Sequence, residues 1–516
     1  MRDNSEALAN VLFFAWLSKR KSQHLVHSLL LRLSPCDPFN RGGKELLVKT
    51  SDESFAPQML VRQCKLLPPG DSDMGGQSPL PSRGTGAIIP RFYGPGRRSR
   101  WRGMTADSYA KRADIIERIF AANQGALTMG KFVSCTKLAG YPSFFNAPLF
   151  RRIAGHATGE GVTVSQQQFS RYWRSEIGPF DRQERFFRLC KKSGSDAIVS
   201  GDLYPFINEL LLYHPGLEFL ESTPEFQEKY ARTVVARIFY CVNLSGTGRI
   251  SLRELRRSDL LETCHEVDEE EDINRVNRYF SYEHFYVLYC RFWELDQDHD
   301  FFLSRDDLLR YGGHALTCSI VDRIFACGRP CDCNGCVSAI LDEGLHSGSL
   351  HLMSYDEFVA FMLSEEAKDN KTSLRYWFRA IDLDDDGVIR PFEMRHFYDE
   401  QLRRMESLGH ELVPFEDVLC QMVDMMQLRT GEIHERIAFR LSDFYKKSCL
   451  GRSGIFFDIL FNLNKFIAYE QRDPFMIKQM EDEDGQVSEW ERFALREYSR
   501  LACAEEQREL DGSTRT

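Results

Sequence analysis

The feature of this sequence that most constrains its fold is an acidic loop between two segments of helical periodicity. Asp382, Asp384 and Asp386 place carboxylates at loop positions one, three and five. Val388 would add a main-chain carbonyl at position seven, and Glu393 a carboxylate at position twelve. Ca²⁺ takes six to eight oxygen ligands, and this spacing is the one that an EF-hand loop uses. The sequence therefore predicts a calcium site here.

Three other positions of the same loop bear on that prediction. Gly387 stands at position six, where the backbone needs a positive φ, and Ile389 at position eight suits the short strand that pairs two hands. Arg390 at position nine cannot coordinate a cation and brings a positive charge near it. We expect calcium binding that Arg390 weakens. The alternative, a solvated acidic turn, does not explain why Gly, Ile and Glu are all in register.

A second acidic loop has the same outline with two departures. Its expected ligands are Asp296, Asp298, Asp300, the carbonyl of Phe302 and Asp307, with Ser304 as a plausible position nine. Phe301 replaces the glycine, so a residue with a Cβ must adopt a positive φ at a cost of ~1 kcal/mol. Asp307 is one methylene shorter than the usual glutamate. We rank this site second, and a loop without metal is the alternative.

A third loop, Asn243 to Glu254, has Gly at position six, Ile at position eight and Glu at position twelve. Positions one, three and five are Asn243, Ser245 and Thr247, so one carboxylate remains to face a divalent cation. The sequence predicts a structural hand without metal.

EF-hands pair through their position-eight strands, so each acidic loop needs a neighbour. Ser349 to Phe358 has a hand-like strand and helix, and Gly431 to His434 offers a degenerate outline after the loop at 382. The fold class expected is all-α: an elongated helical protein with two successive EF-hand pairs, in which β structure is limited to short ribbons.

The chain divides into four expected regions. A Pro-, Gly- and Ser-rich stretch from about Pro68 to Gly86 indicates a linker within an N-terminal extension. The regions are the extension (1–88), a helical domain with a degenerate hand (89–265), a first EF-hand pair (266–365), and a second pair with a C-terminal helical tail (366–516).

Composition narrows the class of protein. The 516 residues include 66 basic and 76 acidic side chains, which gives no global case for nucleic acid binding. No stretch approaches the ~20 apolar residues of a membrane span. The 15 cysteines, in a chain without a clear export signal, suit a reducing compartment. We expect the cytoplasm, with the nucleus and the cytoskeleton as further locations.

Four of those cysteines, Cys327, Cys331, Cys333 and Cys336, lie within ten residues of one another. Four thiolates could hold Zn²⁺ or an iron–sulfur cluster, but this spacing is not the usual pair of C-x₂-C knuckles. We favour a loop without metal in a reducing compartment.

Motifs of catalysis are missing from the sequence. It contains no G-x-x-x-x-G-K-[ST] phosphate loop, no G-x-S-x-G, no H-E-x-x-H and no kinase catalytic loop. EF-hand geometry surrounds an ion with protein oxygens and leaves no open coordination position for a substrate. We therefore expect no enzyme activity.

From about Ile89 to Tyr498 the chain resembles the B″ regulatory subunits of protein phosphatase 2A, and its wording is closest to plant-type members. The phrases that carry the resemblance are IPRFY (89–93), APLFRRIAG (147–155), HPGLEFLESTPEFQEKY (214–230), EEEDIN (269–274), YFSYEHFYVLYCRFWELDQDHD (279–300), FEDVLCQMVDM (415–425), LFNLNKFIAYEQRDPF (460–475) and WERFALREY (490–498).

The resemblance implies a non-catalytic, calcium-binding regulatory protein. Such a protein binds the phosphatase catalytic subunit, together with a helical-repeat scaffold, and directs the choice of phosphoprotein substrates. The family's metal loops match those at Asp296 and Asp382, and a sixth residue other than glycine is usual in the first. The alternative is a calcium-sensing EF-hand adaptor unrelated to a phosphatase. We expect the scaffold to contact the helical region and the first EF-hand pair, including the aromatic segment Tyr279 to Trp293, because surplus apolar positions often mark a partner site.

Overall fold

The computed structural model describes residues 106–155, 161–327, 352–427, 437–446, 449–470 and 488–513. The expected N-terminal extension and its linker lie outside this part of the chain. Within it, no helix combines the length and the apolar character needed to cross a membrane.

The described chain repeats one unit, in which a helix, a loop and a very short strand lead into a second helix. Residues 106–172 hold two such units: α1 (Ala106–Ala122), β1 (Ala126–Thr128), α2 (Val133–Ala139), α3 (Asn146–Ala154), β2 (Thr163–Ser165) and α4 (Gln166–Tyr172). The two strands pair antiparallel with Leu127 opposite Val164, and both side chains are fully buried. Ser165 ends its strand and caps α4 in a reciprocal capping box with Gln168.

A second pair of units follows in residues 182–255. It comprises α5 (Arg182–Cys190), α6 (Ser200–Tyr213), α7 (Pro224–Val242) and α8 (Leu252–Leu255). Ile198 and Ile250 join the two units by exchanging both main-chain hydrogen bonds at 2.9 Å. The sequence indicates one degenerate hand in the region 89–265, whereas the structure shows four units there, joined in two pairs.

The third pair contains the Asp296 loop. After α9 (Leu260–Glu269) come α10 (Tyr282–Leu295), β3 (Phe302–Leu303), α11 (Arg305–Leu309), α12 (Cys318–Cys327), β4 (Met353–Ser354) and α13 (Tyr355–Glu366). Strands β3 and β4 pair antiparallel, with Leu303 opposite Met353. The predicted pairing of this loop with the Ser349 to Phe358 segment is confirmed.

The fourth pair contains the Asp382 loop. Its elements are α14 (Lys371–Ile381), β5 (Val388–Ile389), α15 (Pro391–Ser407), α16 (Phe415–Met425), β6 (Phe439–Arg440) and α17 (Leu441–Phe444). Strand β5 pairs with β6, placing Ile389 opposite Phe439. The partner strand therefore lies a few residues beyond Gly431 to His434, the segment that the sequence suggests and that is outside the described residues. The all-α class with short ribbons and two successive EF-hand pairs is confirmed.

The last two pairs and the C-terminal helices share one hydrophobic core, which runs in sequence from Leu288 to Ala494. The helices are α18 (Leu450–Phe461), α19 (Leu463–Glu470) and α20 (Glu489–Ser513). A buried ionic cluster crosses this core: Glu365 accepts from Lys368 Nζ at 2.6 Å and from Lys465 Nζ at 2.9 Å. Glu365 lies in α13 and Lys465 in α19, so this cluster joins the third pair to α19. Removing either side chain would leave an uncompensated buried charge.

The aromatic segment Tyr279 to Trp293 belongs mainly to the core. Tyr279, Phe280, Phe285 and Phe292 are each no more than 1% exposed. The prediction that this segment forms an exposed scaffold-binding surface is therefore wrong for these rings. Aromatic side chains at helical spacing pack in the core more often than they bind a partner, and these rings pack in the core.

Candidate metal centres

The Asp382 loop has the backbone of a calcium loop. It lies between α14 and α15, with positive φ at position four (Asp385, 55°) and at position six (Gly387, 79°). The Asp382 carboxylate accepts hydrogen bonds from the amides of Gly387 at 2.9 Å and Asp386 at 3.2 Å. These bonds hold the first ligand position in the concave side of the turn.

Three of the predicted ligands meet in this loop. One carboxylate oxygen each from Asp382, Asp384 and Glu393 lie within 4.8 Å of one another. Glu393 is fully buried at the start of α15, where its two oxygens accept from the amides of Leu383 at 2.6 Å and Arg390 at 2.8 Å. Its position is therefore set by backbone donors on both sides of the site.

Asp386 is not part of that cluster. Its Oδ2 lies 2.5 Å from Nη1 of Arg390, and its Oδ1 accepts from the amide of Val388 at 2.9 Å. Arg390 Nη1 is also 3.7 Å from Asp384 Oδ2. The arginine at position nine would thus compete with a cation for these carboxylates. The ligand roles of Asp386 and of the Val388 carbonyl stay predictions.

Negative charge is concentrated here, and among the described residues neither Asp382 nor Glu393 forms an ion pair with a basic side chain. Burial raises the pKa of Asp382 and of Glu393, and the neighbouring carboxylates raise both further. Grouped carboxylates with oxygen donors only are the chemistry that a hard divalent cation stabilises. The residues present fit Ca²⁺.

The Asp296 loop brings together Asp296, Asp298 and Asp300, whose carboxylate oxygens also lie within 4.8 Å of one another. Asp296 is buried and its Oδ2 accepts from the amide of Phe301 at 3.1 Å, while its Oδ1 has no hydrogen-bond partner in the described structure. Burial, with the two neighbouring carboxylates, raises the pKa of Asp296 to about 6. A buried carboxylate oxygen left without a donor fits a site that a cation completes.

Asp307, the predicted position-twelve ligand, does not join this cluster. Its Oδ2 accepts from the amide and the hydroxyl of Ser304 at 2.7 and 2.6 Å, and its Oδ1 forms an ion pair with Arg310. Asp307 thus caps its own helix, and its side chain is one methylene shorter than that of Glu393, which reaches its cluster. The ligand roles of Asp307 and of the Phe302 carbonyl remain predictions.

Phe301 at position six adopts the positive φ that the sequence requires, 68°. Its ring packs on Phe292 and Tyr355, with centroid distances of 5.2 and 5.9 Å. Lys229 Nζ stands 3.6 Å from the ring centroid. Packing and the cation–π contact offset the backbone cost of placing a side chain there.

The Asn243 loop has the same backbone without the acidic ligands. Positions four and six are Gly246 and Gly248, with φ of 69° and 67°, and Gly248 N donates to Asn243 Oδ1 at 2.9 Å. The other side-chain atom, Nδ2 of Asn243, points into the place where an EF-hand holds its ion.

The partners of Asn243 Nδ2 are the groups that would ligate a metal. They are Ser245 Oγ at 3.1 Å, Thr247 Oγ1 at 3.4 Å, Arg249 O at 2.9 Å and Glu254 Oε1 at 3.2 Å. These are positions three, five, seven and twelve. An amide donor therefore replaces the cation, which gives a physical reason for a hand that needs no metal.

Sequence reasoning missed the units built around Leu127, Val164 and Ile198, and the last two carry a common feature. A signal was present, because each short strand is followed by a helix whose third residue returns a hydrogen bond: Asp202 Oδ2 accepts from Val199 N at 3.0 Å, and Gln168 Oε1 accepts from Ser165 N at 2.9 Å. The same reciprocal bond closes the Ser251, Ser304 and Ser354 helices.

Of the four clustered cysteines, Cys327 lies in the described structure. Its thiol donates to the Arg323 carbonyl at 2.9 Å, and burial raises its pKa. Cys331, Cys333 and Cys336 lie outside the described residues, so the expectation of a loop without metal stays a prediction.

Comparison with known proteins also identifies EF-hand sequence in this chain. An EF-hand domain model matches residues 181–270, the pair that contains the Asn243 loop. A probable B″ epsilon regulatory subunit of protein phosphatase 2A from Arabidopsis thaliana is 39% identical over 98% of this chain and 92% of its own length. The probable B″ delta protein of the same plant is 42% identical over 81% of this chain and 73% of its own length.

A human relative, the B″ alpha protein, is 40% identical and covers 81% of this chain and 34% of its own length. A solved chain described as part of a PP2A PR70 holoenzyme is 41% identical, with a TM-score of 0.48, covering 56% of this chain and 98% of that chain. The match to the plant B″ epsilon protein extends over nearly its whole length. This chain belongs to the B″ family of protein phosphatase 2A regulatory subunits.

Proposed function

We propose that this regulatory protein binds Ca²⁺ at the Asp382 loop and, less tightly, at the Asp296 loop. The single observation that carries the proposal is the convergence of three carboxylates in each loop on a backbone with positive φ at positions four and six. Nitrogen and sulfur donors are missing from both clusters, and oxygen-only sets favour Ca²⁺ over Zn²⁺.

The residues that would hold the ion are those already named: Asp382, Asp384 and Glu393 in the tighter site, and Asp296, Asp298 and Asp300 in the weaker one. Bound calcium would supply the positive charge that these carboxylates lack. The chain's own part is to tie helices together, since Glu393 begins α15 and Asp382 ends α14. In the same way Asp296 ends α10, whose buried rings belong to the core.

We further propose that the chain is non-catalytic and associates with the scaffold and catalytic subunits of protein phosphatase 2A, where it directs the choice of phosphoprotein substrates. Support comes from the relatives, which are named as regulatory subunits of this phosphatase. We also propose that the protein acts in the cytoplasm. The proposal includes no nucleic acid partner and no membrane span.

Pull-down of purified scaffold and catalytic subunits by the tagged full chain, with calcium and with a chelator, tests this proposal. We expect both subunits to be retained and their amount to respond to calcium. Asp296→Ala with Asp298→Ala should weaken scaffold binding in calcium, because two of the clustered carboxylates are lost.

The control removes the same charge elsewhere. Glu269→Ala with Glu271→Ala changes two exposed acids at the end of α9 and in the turn after it, and should leave the calcium response intact. Circular dichroism checks that all variants have equal helicity. Failure of either phosphatase subunit to associate, with or without calcium, would refute the proposed association.

A further inference from the structure

An open groove of about 630 Å³ lies beside the Asn243 loop, outside both candidate calcium sites. It is lined by residues of that loop and of α8, including Glu254, by Arg257 in the turn after α8, and by Asp196 and Ala197. This hollow is here called the arginine groove, after Arg249, Arg253 and Arg257 in its lining.

Two of these arginines have no acidic partner. Arg253 and Arg257 are exposed, and neither forms an ion pair or a side-chain hydrogen bond with any residue in the described part of the chain. Arg253 lies in α8 and Arg257 in the turn that follows it, and both line the groove. Both also line an adjoining hollow of about 460 Å³.

Neighbouring arginines differ from this pair. Arg256 binds Asp181 at 2.6 Å and Glu184 at 2.9 Å, and Arg249 binds Asp196 at 2.5 Å. The acid nearest to the free pair in the sequence, Glu254, already accepts from Ser245 and Ser251. In a chain of formal net charge −10, two guanidinium groups without an acidic partner in one groove are a local concentration of positive charge.

The rest of the lining includes one apolar contact, Leu244, which is 38% exposed. The hydroxyls of Ser245 and Thr247 donate within the loop, to Glu254 and to the Arg249 carbonyl. The two acids of the lining are also engaged, Asp196 with Arg249 and Glu254 with Ser245 and Ser251. A planar guanidinium donates two parallel hydrogen bonds to a phosphate or carboxylate, and phosphate accepts through three oxygens. Two such forks beside a small apolar surface match a short peptide that carries a phosphorylated side chain.

Calcium is not needed to form this groove. The loop that makes one wall is closed by the Asn243 amide, which bonds to the groups that would otherwise ligate a metal. The wall is therefore preformed whatever the calcium concentration.

We propose that the arginine groove docks a phosphoserine- or phosphothreonine-containing segment of a protein, with Arg253 and Arg257 as the anion-binding residues. The identification of that segment with a phosphatase substrate rests on the proposed function. The binding itself does not, since it depends on neither metal loop.

Fluorescence anisotropy of the full chain tests the groove, with a labelled peptide that carries one phosphoserine between aspartates. The same peptide with unphosphorylated serine, and one with aspartate at that position, are the comparison probes. We expect the phosphopeptide to bind at least about tenfold more tightly than either, because hydrogen bonds between charged groups are the strong ones.

Arg253→Ala with Arg257→Ala should weaken phosphopeptide binding by at least about tenfold. The matched control is Arg171→Ala with Arg174→Ala, which removes two exposed arginines near the end of the first pair of units and should change nothing. Chelating calcium should leave the affinity of the parent chain unchanged.

Equal binding by the parent and the Arg253/Arg257 variant would overturn the inference. So would equal binding of the phosphorylated and aspartate peptides, or of an RNA oligonucleotide with the same dependence on both arginines. The proposed function is tested apart from this, because the variant should still retain the phosphatase subunits in pull-down. If the parent retains neither phosphatase subunit, yet binds the phosphopeptide, only the proposed function fails.

Discussion

The Asp382 and Asp296 loops share a backbone and differ at the residue that closes each site. Both take positive φ at positions four and six, and in both the first carboxylate accepts from the amide at position six. Glu393 reaches its cluster, whereas Asp307 turns back to Ser304 and Arg310. One methylene therefore separates a site with a buried closing carboxylate from a site without one.

The Asn243 loop extends this comparison to a case with no ion to bind. Its closing Glu254 has the same length as Glu393, but it accepts from the Asn243 amide and from Ser245. Backbone conformation alone thus does not make a calcium site. What distinguishes the three loops is whether the central position holds several carboxylates or a hydrogen-bond donor.

Glu393→Gln should produce the largest effect. The glutamine keeps the volume of a fully buried side chain and one acceptor oxygen, but removes the charge that closes the Asp382 site. Calcium affinity at this loop should fall by more than about 100-fold, since changes to groups that merely orient ligands already cost about 10- to 100-fold. Calorimetric titration should show the tighter of two transitions disappear.

Glu357→Gln is the matched control for that experiment. Glu357 begins α13 in the same way, with Oε2 accepting from Ser354 N at 2.8 Å, but it faces no carboxylate cluster among the described residues. Its calcium titration should match that of the parent. A Glu393→Gln protein that titrates like the parent would show that our ranking of the two sites is wrong.

Asp307→Glu should have the opposite effect on the weaker site. The added methylene allows the carboxylate to extend toward Asp296, Asp298 and Asp300, and calcium affinity at this loop should rise by about tenfold. The weaker calorimetric transition should shift and the tighter one should not.

Asp443→Glu provides the comparison, because its environment is similar and lacks the cluster. Asp443 caps its helix through Arg440 N at 2.9 Å and pairs with Lys446 at 2.8 Å. Lengthening it should leave both transitions in place. An unchanged weaker transition in Asp307→Glu would mean that helix capping, rather than side-chain length, keeps the position-twelve residue away.

Much of the fold could be predicted from sequence because EF-hand loops carry dense local information. Gly387, Ile389 and Glu393 each meet a separate backbone or ligand requirement, so their register alone identified the loop. The hands at Ile198 and Val164 were missed, since their loops lack acidic residues at positions one, three and five and only the helix cap remains as a signal. The partner strand Phe439–Arg440 was missed because loop length after α16 is not encoded in any local pattern.

Which carboxylates meet could be predicted less completely. Spacing places Asp386 and Asp307 at ligand positions. Their carboxylates, however, also bond to nearby donors that the ligand spacing does not reveal. Arg390 and Arg310 are those competitors here. The exposure of side chains could not be predicted from the sequence pattern either. The rings from Tyr279 to Phe292 are compatible with a partner surface or with the core, and long-range packing places them in the core.

Arg390→Gln should give the smallest of these effects and sharpen the comparison most directly. Arg390 is a half-exposed side chain whose guanidinium lies 2.5 Å from Asp386 and 3.7 Å from Asp384, so its removal frees two carboxylates of the tighter loop. Exposed ion pairs are weak, so calcium affinity should rise by no more than about fivefold. The gain should shrink as salt is added, because screening weakens the ion pairs of Arg390 in the parent.

Arg395→Gln is the control for this experiment. Arg395 lies on the helix that follows and pairs at 2.5 Å with Glu416, which belongs to neither cluster. A gain that is equal in both variants, or that persists at high salt, would mean that the arginine acts through net charge or helix stability and not by competing with calcium for Asp386.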